Sequence, residues 1–280
     1  MIFDNRICAL GEGPLWHPMR EQLFWFDITG RRMLTRRGEE AQEWHFPEMV
    51  SAAGWTGPDG LVIASEQALF LFDLASGTKT PLCPLEDDNA ATRSNDGRAD
   101  PQGGFWIGTM GKRAEPGLGS IWRWHRGELR RLYAGMTIPN AISFPPGGGT
   151  AQFTDTETRR VMRVALDAAG WPRGTPEAFL DVSAEELNPD GAVVDAAGLT
   201  WLAEWDAGRV AAYAPDGARV TSVSFDAPHT SCPAFGGTTL YCTTATQGMG
   251  AEARARHPAA GMTFAAANVA RGQAEHMVIL

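Results

Sequence analysis

Short stretches of alternating apolar and polar residues run through the whole chain, and they recur in a unit of about 40 to 50 residues. Each unit opens on a small or polar group, runs into an apolar stretch, turns, and enters a second, usually aromatic strand. The first copy leads from Gly11-Glu12-Gly13-Pro14-Leu15-Trp16 to Leu23-Phe24-Trp25-Phe26, and the second from Ala53-Gly54-Trp55 to Leu61-Val62-Ile63-Ala64. The third leads from Asn95-Asp96-Gly97-Arg98-Ala99-Asp100 to Phe105-Trp106-Ile107-Gly108, and the fourth from Asn140-Ala141-Ile142-Ser143-Phe144 to Ala151-Gln152-Phe153-Thr154. The fifth leads from Pro189-Asp190-Gly191-Ala192-Val193-Val194 to Thr200-Trp201-Leu202-Ala203, and the sixth from Cys232-Pro233-Ala234-Phe235 to Leu240-Tyr241-Cys242-Thr243. Turn sequences such as Gly57-Pro58-Asp59-Gly60, Pro145-Pro146-Gly147-Gly148-Gly149 and Pro215-Asp216-Gly217 separate the strands.

Six such units predict an all-β, six-bladed β-propeller with four-stranded blades. A third strand such as Arg209–Tyr213 and a fourth such as Val220–Val223 complete a blade. Met1 to Ala9 precedes the first unit and is expected to supply the outer strand of the last blade, closing the ring and removing a sheet edge. Helical periodicity is nearly absent. Ser183-Ala184-Glu185-Glu186-Leu187 reads as one helical turn, with Ser183 as N-cap and Glu186 completing a capping box. Because each unit needs neighbours to cover its faces, residues 1–280 are expected to form one propeller domain.

Composition narrows the partners. The net charge of −9 argues against a nucleic-acid backbone. No apolar run approaches the roughly 18 residues needed to span a bilayer, and no secretion signal opens the chain, so a soluble cytoplasmic protein, monomeric or a small homo-oligomer, is expected. The cysteines Cys8, Cys83, Cys232 and Cys242 form no CxxC pair and read as free thiols. The ten tryptophans fall largely on inner or alternating strand positions and read as core. There is no Gly-x-Ser-x-Gly elbow and no phosphate-binding Gly-rich loop.

The chemistry comes from superposing the units. Pro18, Pro58, Pro101, Pro145, Ala196 and Gly236 mark the turn that follows each innermost strand. Just upstream stand Glu12, Ala52 or Ala53, Asn95 or Asp96, Asn140, Asp190, and Thr230 or Ser231. A propeller brings these positions to one channel mouth, so carboxylates and carboxamides from four blades converge. Asp in Pro-Asp-Gly is by itself an ordinary turn former. Glu12, between two glycines, is not a favoured turn residue, and Asn140 follows a proline and enters an apolar strand. Oxygen donors without His or Cys suit one hard divalent cation, with Ca²⁺ first and Mg²⁺, Zn²⁺ or Mn²⁺ as alternatives.

Gly11-Glu12-Gly13-Pro14, Arg93-Ser94-Asn95-Asp96-Gly97 with Gly108-Thr109-Met110, Pro139-Asn140-Ala141, and Pro189-Asp190-Gly191 with Asp195 and Gly198 occur in that order. Together they resemble the gluconolactonase/regucalcin-like family, also called senescence marker proteins. The resemblance implies metal ligands at Glu12, Asn140 and Asp190, substrate contacts from Arg93 and Asn95, and hydrolysis of sugar lactones. Asp96 in the same motif, and Lys112 and Arg113 in the following loop, are further candidate substrate contacts. One position departs from the pattern: regucalcin-like members carry a Glu shortly after Gly-Thr-Met, where this chain has Arg113, with Glu115 two residues later. That bears on substrate range rather than on the metal.

The expected reaction is the opening of an aldonolactone to its aldonic acid, with the metal polarising the carbonyl and water attacking. Asp190 is the candidate general base, with a metal-activated water as the alternative. Hydrolysis of other esters or organophosphates, and a non-catalytic calcium- or ligand-binding propeller, are the competing readings. His229, the histidine nearest the mouth, reads as structural.

Overall fold

The computed structural model describes residues 1–280 and is nearly all β. Six four-stranded antiparallel sheets are arranged as the six blades of a propeller. Within blades 1 to 5 the strands run in chain order from the axis outward, and blade 1 comprises Gly11–His17, Gln22–Asp27, Arg32–Arg37 and Glu40–His45. The innermost strands of the other blades are Val50–Trp55, Thr92–Ala99, Pro139–Ser143, Asn188–Val194 and Thr230–Gly236. Blade 6 takes its outermost strand from the other end of the chain: Ile2–Asp4 pairs antiparallel with Thr263–Ala266. The expected closure by the N-terminal strand is therefore present.

Burial along a strand follows its distance from the axis. Every residue of Gln22–Asp27 is buried, because a second strand is covered by a neighbouring blade on each face. Most residues of the fourth strands Glu40–His45 and Arg219–Ser224 are exposed, and charged side chains there discourage edge pairing. The core is divided among the blade interfaces. Leu15, Phe24, Phe26 and Met33 of blade 1 pack on Val50, Leu61, Ile63 and Phe72 of blade 2. Trp106 and Ile121 of blade 3 likewise meet Ile142, Phe144 and Phe153 of blade 4. At the closure, Leu23, Trp25 and Leu34 of blade 1 meet Ala234, Tyr241 and Ala265 of blade 6. Trp25, Trp106 and Trp201 are fully buried, as expected for core tryptophans.

Two local expectations differ. Residues 183–187 form a turn, not a helical turn. Asp181 Oδ1 accepts from both the backbone N–H and the hydroxyl of Ser183, so the serine caps nothing. Glu186 sits at φ 55°, outside the right-handed helical region. A short helix, Ala251–Arg256, lies instead in the blade 6 excursion. No helix is long and apolar enough to cross a membrane.

The C-terminal segment was not anticipated. It crosses the end of the inner strands opposite Glu12, Asn140 and Asp190. Ala196 N–H donates to Arg271 O, and Gly272 N–H to Gly237 O. Gln273 donates to the carbonyls of Phe144 and Val194. Trp55 Nε1 donates to Glu275 O, Val278 N–H to Trp55 O, and Ile279 N–H to Gly103 O. Val278 packs among Ala52, Ala99 and Phe105. In the channel, Arg98 of blade 3 forms an ion pair with Glu275, both side chains being less than a tenth exposed. Removing one partner of a buried pair strands the other charge at a cost of about 3–5 kcal/mol. Glu275→Ala should therefore lower the melting temperature markedly, whereas substituting the exposed pair Arg130–Glu128 should barely move it. Equal effects, read by circular dichroism, would deny this C-terminal segment, a strap across the channel, its stabilising role.

Candidate active site

The inner strands do not pair regularly with their neighbours near the mouth. Register breaks fall between Glu12 and Leu15, Ser94 and Gly97, Asn140 and Ser143, and Pro189 and Ala192. Such irregularities free a residue from the ladder and re-aim its side chain. The residues just after two site groups, Gly13 and Ala141, have φ values of 52° and 55°. A Cβ on Gly13 would lie 2.1 Å from the Ser51 carbonyl oxygen, so this position requires glycine. The result is a cavity of about 320 Å³ lined by Glu12, Arg93, Asn95, Asn140 and Asp190.

A hydrogen-bonded chain fixes the neutral and cationic members. Arg93 Nη1 donates to Ser94 O at 2.9 Å and to Asn95 Oδ1 at 2.8 Å. Asn95 Nδ2 donates to Pro139 O at 3.1 Å and to Asn140 Oδ1 at 2.8 Å. Asn140 Nδ2 donates to Thr156 Oγ1 at 3.0 Å, and that hydroxyl donates to Pro189 O at 2.8 Å. Blades 3, 4 and 5 are thus tied together through the site. The two carboxylates receive far less. Glu12 Oε2 accepts from the Gly13 N–H at 3.0 Å. Burial, and then the charge of Asp96, push Glu12 up to about 8. Burial, Glu12 and Asp96 raise Asp190 well above the usual carboxylate range, against the opposing pull of Arg93. Burial lowers Arg93 to about 10 despite both acids.

The other anticipated residues lie elsewhere. Asp96 is buried behind the site, where its Oδ2 accepts the Ile142 N–H at 2.7 Å, and it does not line the cavity. Lys112 pairs with Glu66 at 2.7 Å, and Arg113, 87% exposed, pairs with Glu115; neither lines the cavity. In blade 6, Ser231 is spent on a bond to the Gly11 carbonyl. Sequence reasoning missed Thr156, Glu157, Trp205 and Asp206, which line the cavity. All four stand at or just beyond the ends of the second strands Thr150–Asp155 and Thr200–Trp205. The signal was topological: a second strand runs antiparallel to the first, so its last residue returns to the mouth where the inner strand began. His229 stands behind this wall, stacked on Trp205 with ring centroids 4.4 Å apart.

No three His, Cys, Asp or Glu side chains are grouped as a metal cluster. The donor set is smaller in charge: the Glu12 and Asp190 carboxylates with the Asn140 amide oxygen. These are oxygen donors only, of the type a hard divalent cation takes. The two acids are buried with Arg93 as the one cationic side chain lining the cavity, so added positive charge relieves their repulsion. The residues present fit such an ion.

Residues 10–246 match the SMP-30/gluconolactonase/LRE-like region. A candidate sugar lactone lactonase of Rhizobium meliloti is 42% identical over 261 residues, covering 91% of this chain and 88% of its own. An L-arabinolactonase of Azospirillum brasilense is 33% identical, with 95% of this chain and 90% of its own covered. The crystal structure of a calcium-binding protein, regucalcin, from Agrobacterium tumefaciens superposes with a TM-score of 0.97 at 37% identity, covering 100% of this chain and 97% of that one.

The raised acids give a pH signature. A carboxyl held at about 8 in the folded chain keeps a proton that an unfolded glutamate, at 4.5, has released. Its stabilising contribution is complete below pH 4.5 and lost as pH rises through about 8. Burial lowers His17, His125, His229 and His276 below 6.5, and these act in the opposite sense at lower pH. Between pH 6.5 and 8, with chelator present, the melting temperature should therefore fall, and Glu12→Gln should flatten the slope. An unchanged slope in the variant would exclude Glu12 as its source.

Proposed function

We propose that this chain, which belongs to the SMP-30/gluconolactonase/LRE-like family, hydrolyses sugar lactones to aldonic acids with the help of one divalent cation. The observation that carries this reading is the meeting of two under-compensated buried carboxylates, Glu12 and Asp190, with Asn140, Arg93 and Asn95 in one small cavity. Two relatives named for lactone hydrolysis support the reaction class. At about 320 Å³ the cavity stands at the low end of ligand pockets, which suits one sugar ring and not a polymer.

Glu12, Asn140 and Asp190 would hold the ion, and calcium is the first choice because the donors are oxygen and the similar solved structure is called a calcium-binding protein. When bound, such an ion supplies Lewis-acid polarisation of the lactone carbonyl. Arg93 orients the ring by donating to its oxygens and Asn95 by accepting at Oδ1 from its hydroxyls, since both are already locked in a hydrogen-bonded chain and lose little freedom on binding. Asp190 accepts the proton of the attacking water at a carboxylate oxygen. That proton then goes to the ring oxygen as the carbon–oxygen bond breaks, leaving the hydroxy acid. Trp205, Ile138 and Met110 line the same space and limit bulk water around it.

Proton release from neutral pentono- and hexonolactones at constant pH, corrected for spontaneous opening, tests the reading. Activity should vanish with chelator and return with added divalent ion. Asp190→Asn should lower kcat by about 100-fold or more. Near wild-type turnover in that variant, with ion binding retained by thermal shift, would remove Asp190 as the base. No turnover of any lactone in ion-loaded protein would move the function to another ester or to a binding propeller.

A further inference from the structure

The floor of the cavity holds Glu12, Asn140, Asp190, Arg93 and Asn95, whereas its outer wall is made by Glu157 of blade 4 and Trp205 and Asp206 of blade 5. Glu157 is exposed and makes no ion pair. Asp206, 59% exposed, sits at φ 71° at the strand end, and its Oδ1 lies 2.8 Å from His229 Nε2. The imidazole is stacked flat on Trp205, at an interplanar angle of 12°. Burial holds His229 below its ordinary range, with His257 acting in the same sense and Asp206 against it. Near neutral pH the ring therefore steadies this wall without cancelling the aspartate's charge.

Positive charge is confined to the floor. Arg93 is the one cationic side chain lining the cavity, against the four carboxylates of Glu12, Glu157, Asp190 and Asp206. Lys112 and Arg113, the nearby loop cations, are committed to Glu66 and Glu115. A divalent ion on Glu12 and Asp190 still leaves the two rim acids unmatched. In a cavity of about 320 Å³, a lactone whose carbonyl is held at the floor keeps its exocyclic carbon in the same small space that the two rim acids line.

We infer that Glu157 and Asp206, with Trp205 between floor and solvent, make the site selective for neutral polyhydroxy lactones and reject lactones carrying an anionic group on the exocyclic carbon. The inference rests on the lactonase reading and names its substrate class. Hydroxyl groups donate to the rim carboxylates, and the Trp205 ring offers an apolar face to the C–H side of a sugar. A phosphate, sulfonate or carboxylate in the same position meets like charge with no cation to receive it.

The test compares glucono-1,5-lactone with its 6-phosphate, which share the ring and differ in the exocyclic charge. At low ionic strength the ion-loaded enzyme should favour the neutral lactone by about tenfold or more in kcat/KM, and added salt should narrow the gap because rim charges are screened. The double variant Glu157→Gln/Asp206→Asn should raise the ratio of phosphorylated to neutral turnover by about tenfold, whatever its absolute rates. A wild-type ratio near one, or a ratio indifferent to both salt and the double variant, would overturn the inference and leave the lactonase reading standing. Failure of the wild type on both lactones would overturn the lactonase reading and the inference with it.

Discussion

A blade of this protein has two apolar faces and cannot stand alone. Phe24 and Phe26 need blade 2 just as Trp25 and Leu23 need blade 6, so every sheet is finished only when the ring is closed. That constraint explains why both ends of the chain are used. Ile2–Asp4 completes blade 6, and the segment around Gln273–Ile279 binds blades across the far side of the channel. It also fixes where chemistry can occur. Six inner strands brought to one axis place their first residues around the same channel mouth, and a group harmless on an isolated hairpin becomes part of a concentrated charge.

The two ends of the inner strands treat the same residue type in opposite ways. At the far end, Asp195 accepts from the N–H groups of Ala197 and Leu199 and from Trp201 Nε1. Asp100 does the same with Gln102, Gly104 and Trp106, and adds Arg123 at 2.6 Å. These acids fold turns onto second strands and have little left to give. At the near end, five residues before Asp195, Asp190 is equally buried but has the Gly191 N–H beside it and two other acids nearby. A saturated carboxylate organises structure, and an unsaturated one is available to a ligand or a proton. The propeller keeps the second kind only because the first kind, the inter-blade clusters and the strap hold the ring against the repulsion.

Much of this was legible in the sequence because it repeats. Period, blade number and closure follow from strand patterns that appear six times, and superposing the copies brings Glu12, Asn95, Asn140 and Asp190 to one mouth. The failures have a common origin in information that is not periodic. Asp96 and Asn95 are adjacent in one irregular strand segment, and only the backbone path decides that Asn95 faces the cavity while Asp96 turns to the Ile142 amide. Ser183-Ala184-Glu185-Glu186 carries helix-start residues, but Asp181 captures the serine first. The strap has almost no regular structure, so neither alternation nor turn signals mark it. Trp205 stands in a set of tryptophans that read largely as core, yet it is only partly buried because its strand ends at the mouth.

That last case shows how the fold divides labour along a blade. Inner strands supply the floor, where burial is nearly complete and each polar group perturbs the next. Second-strand ends supply the wall, where side chains are half in solvent and tolerate change at little cost to the core. Glu12 and Asp190 are both buried and the charge of Glu12 raises the proton affinity of Asp190, so altering the first alters the second. Glu157 and Asp206 belong to different blades and are separated from the core clusters, so they can vary without disturbing closure. A shared reaction with differing substrates is what such a separation allows: the floor is constrained by electrostatics, and the wall is constrained only by what it must admit.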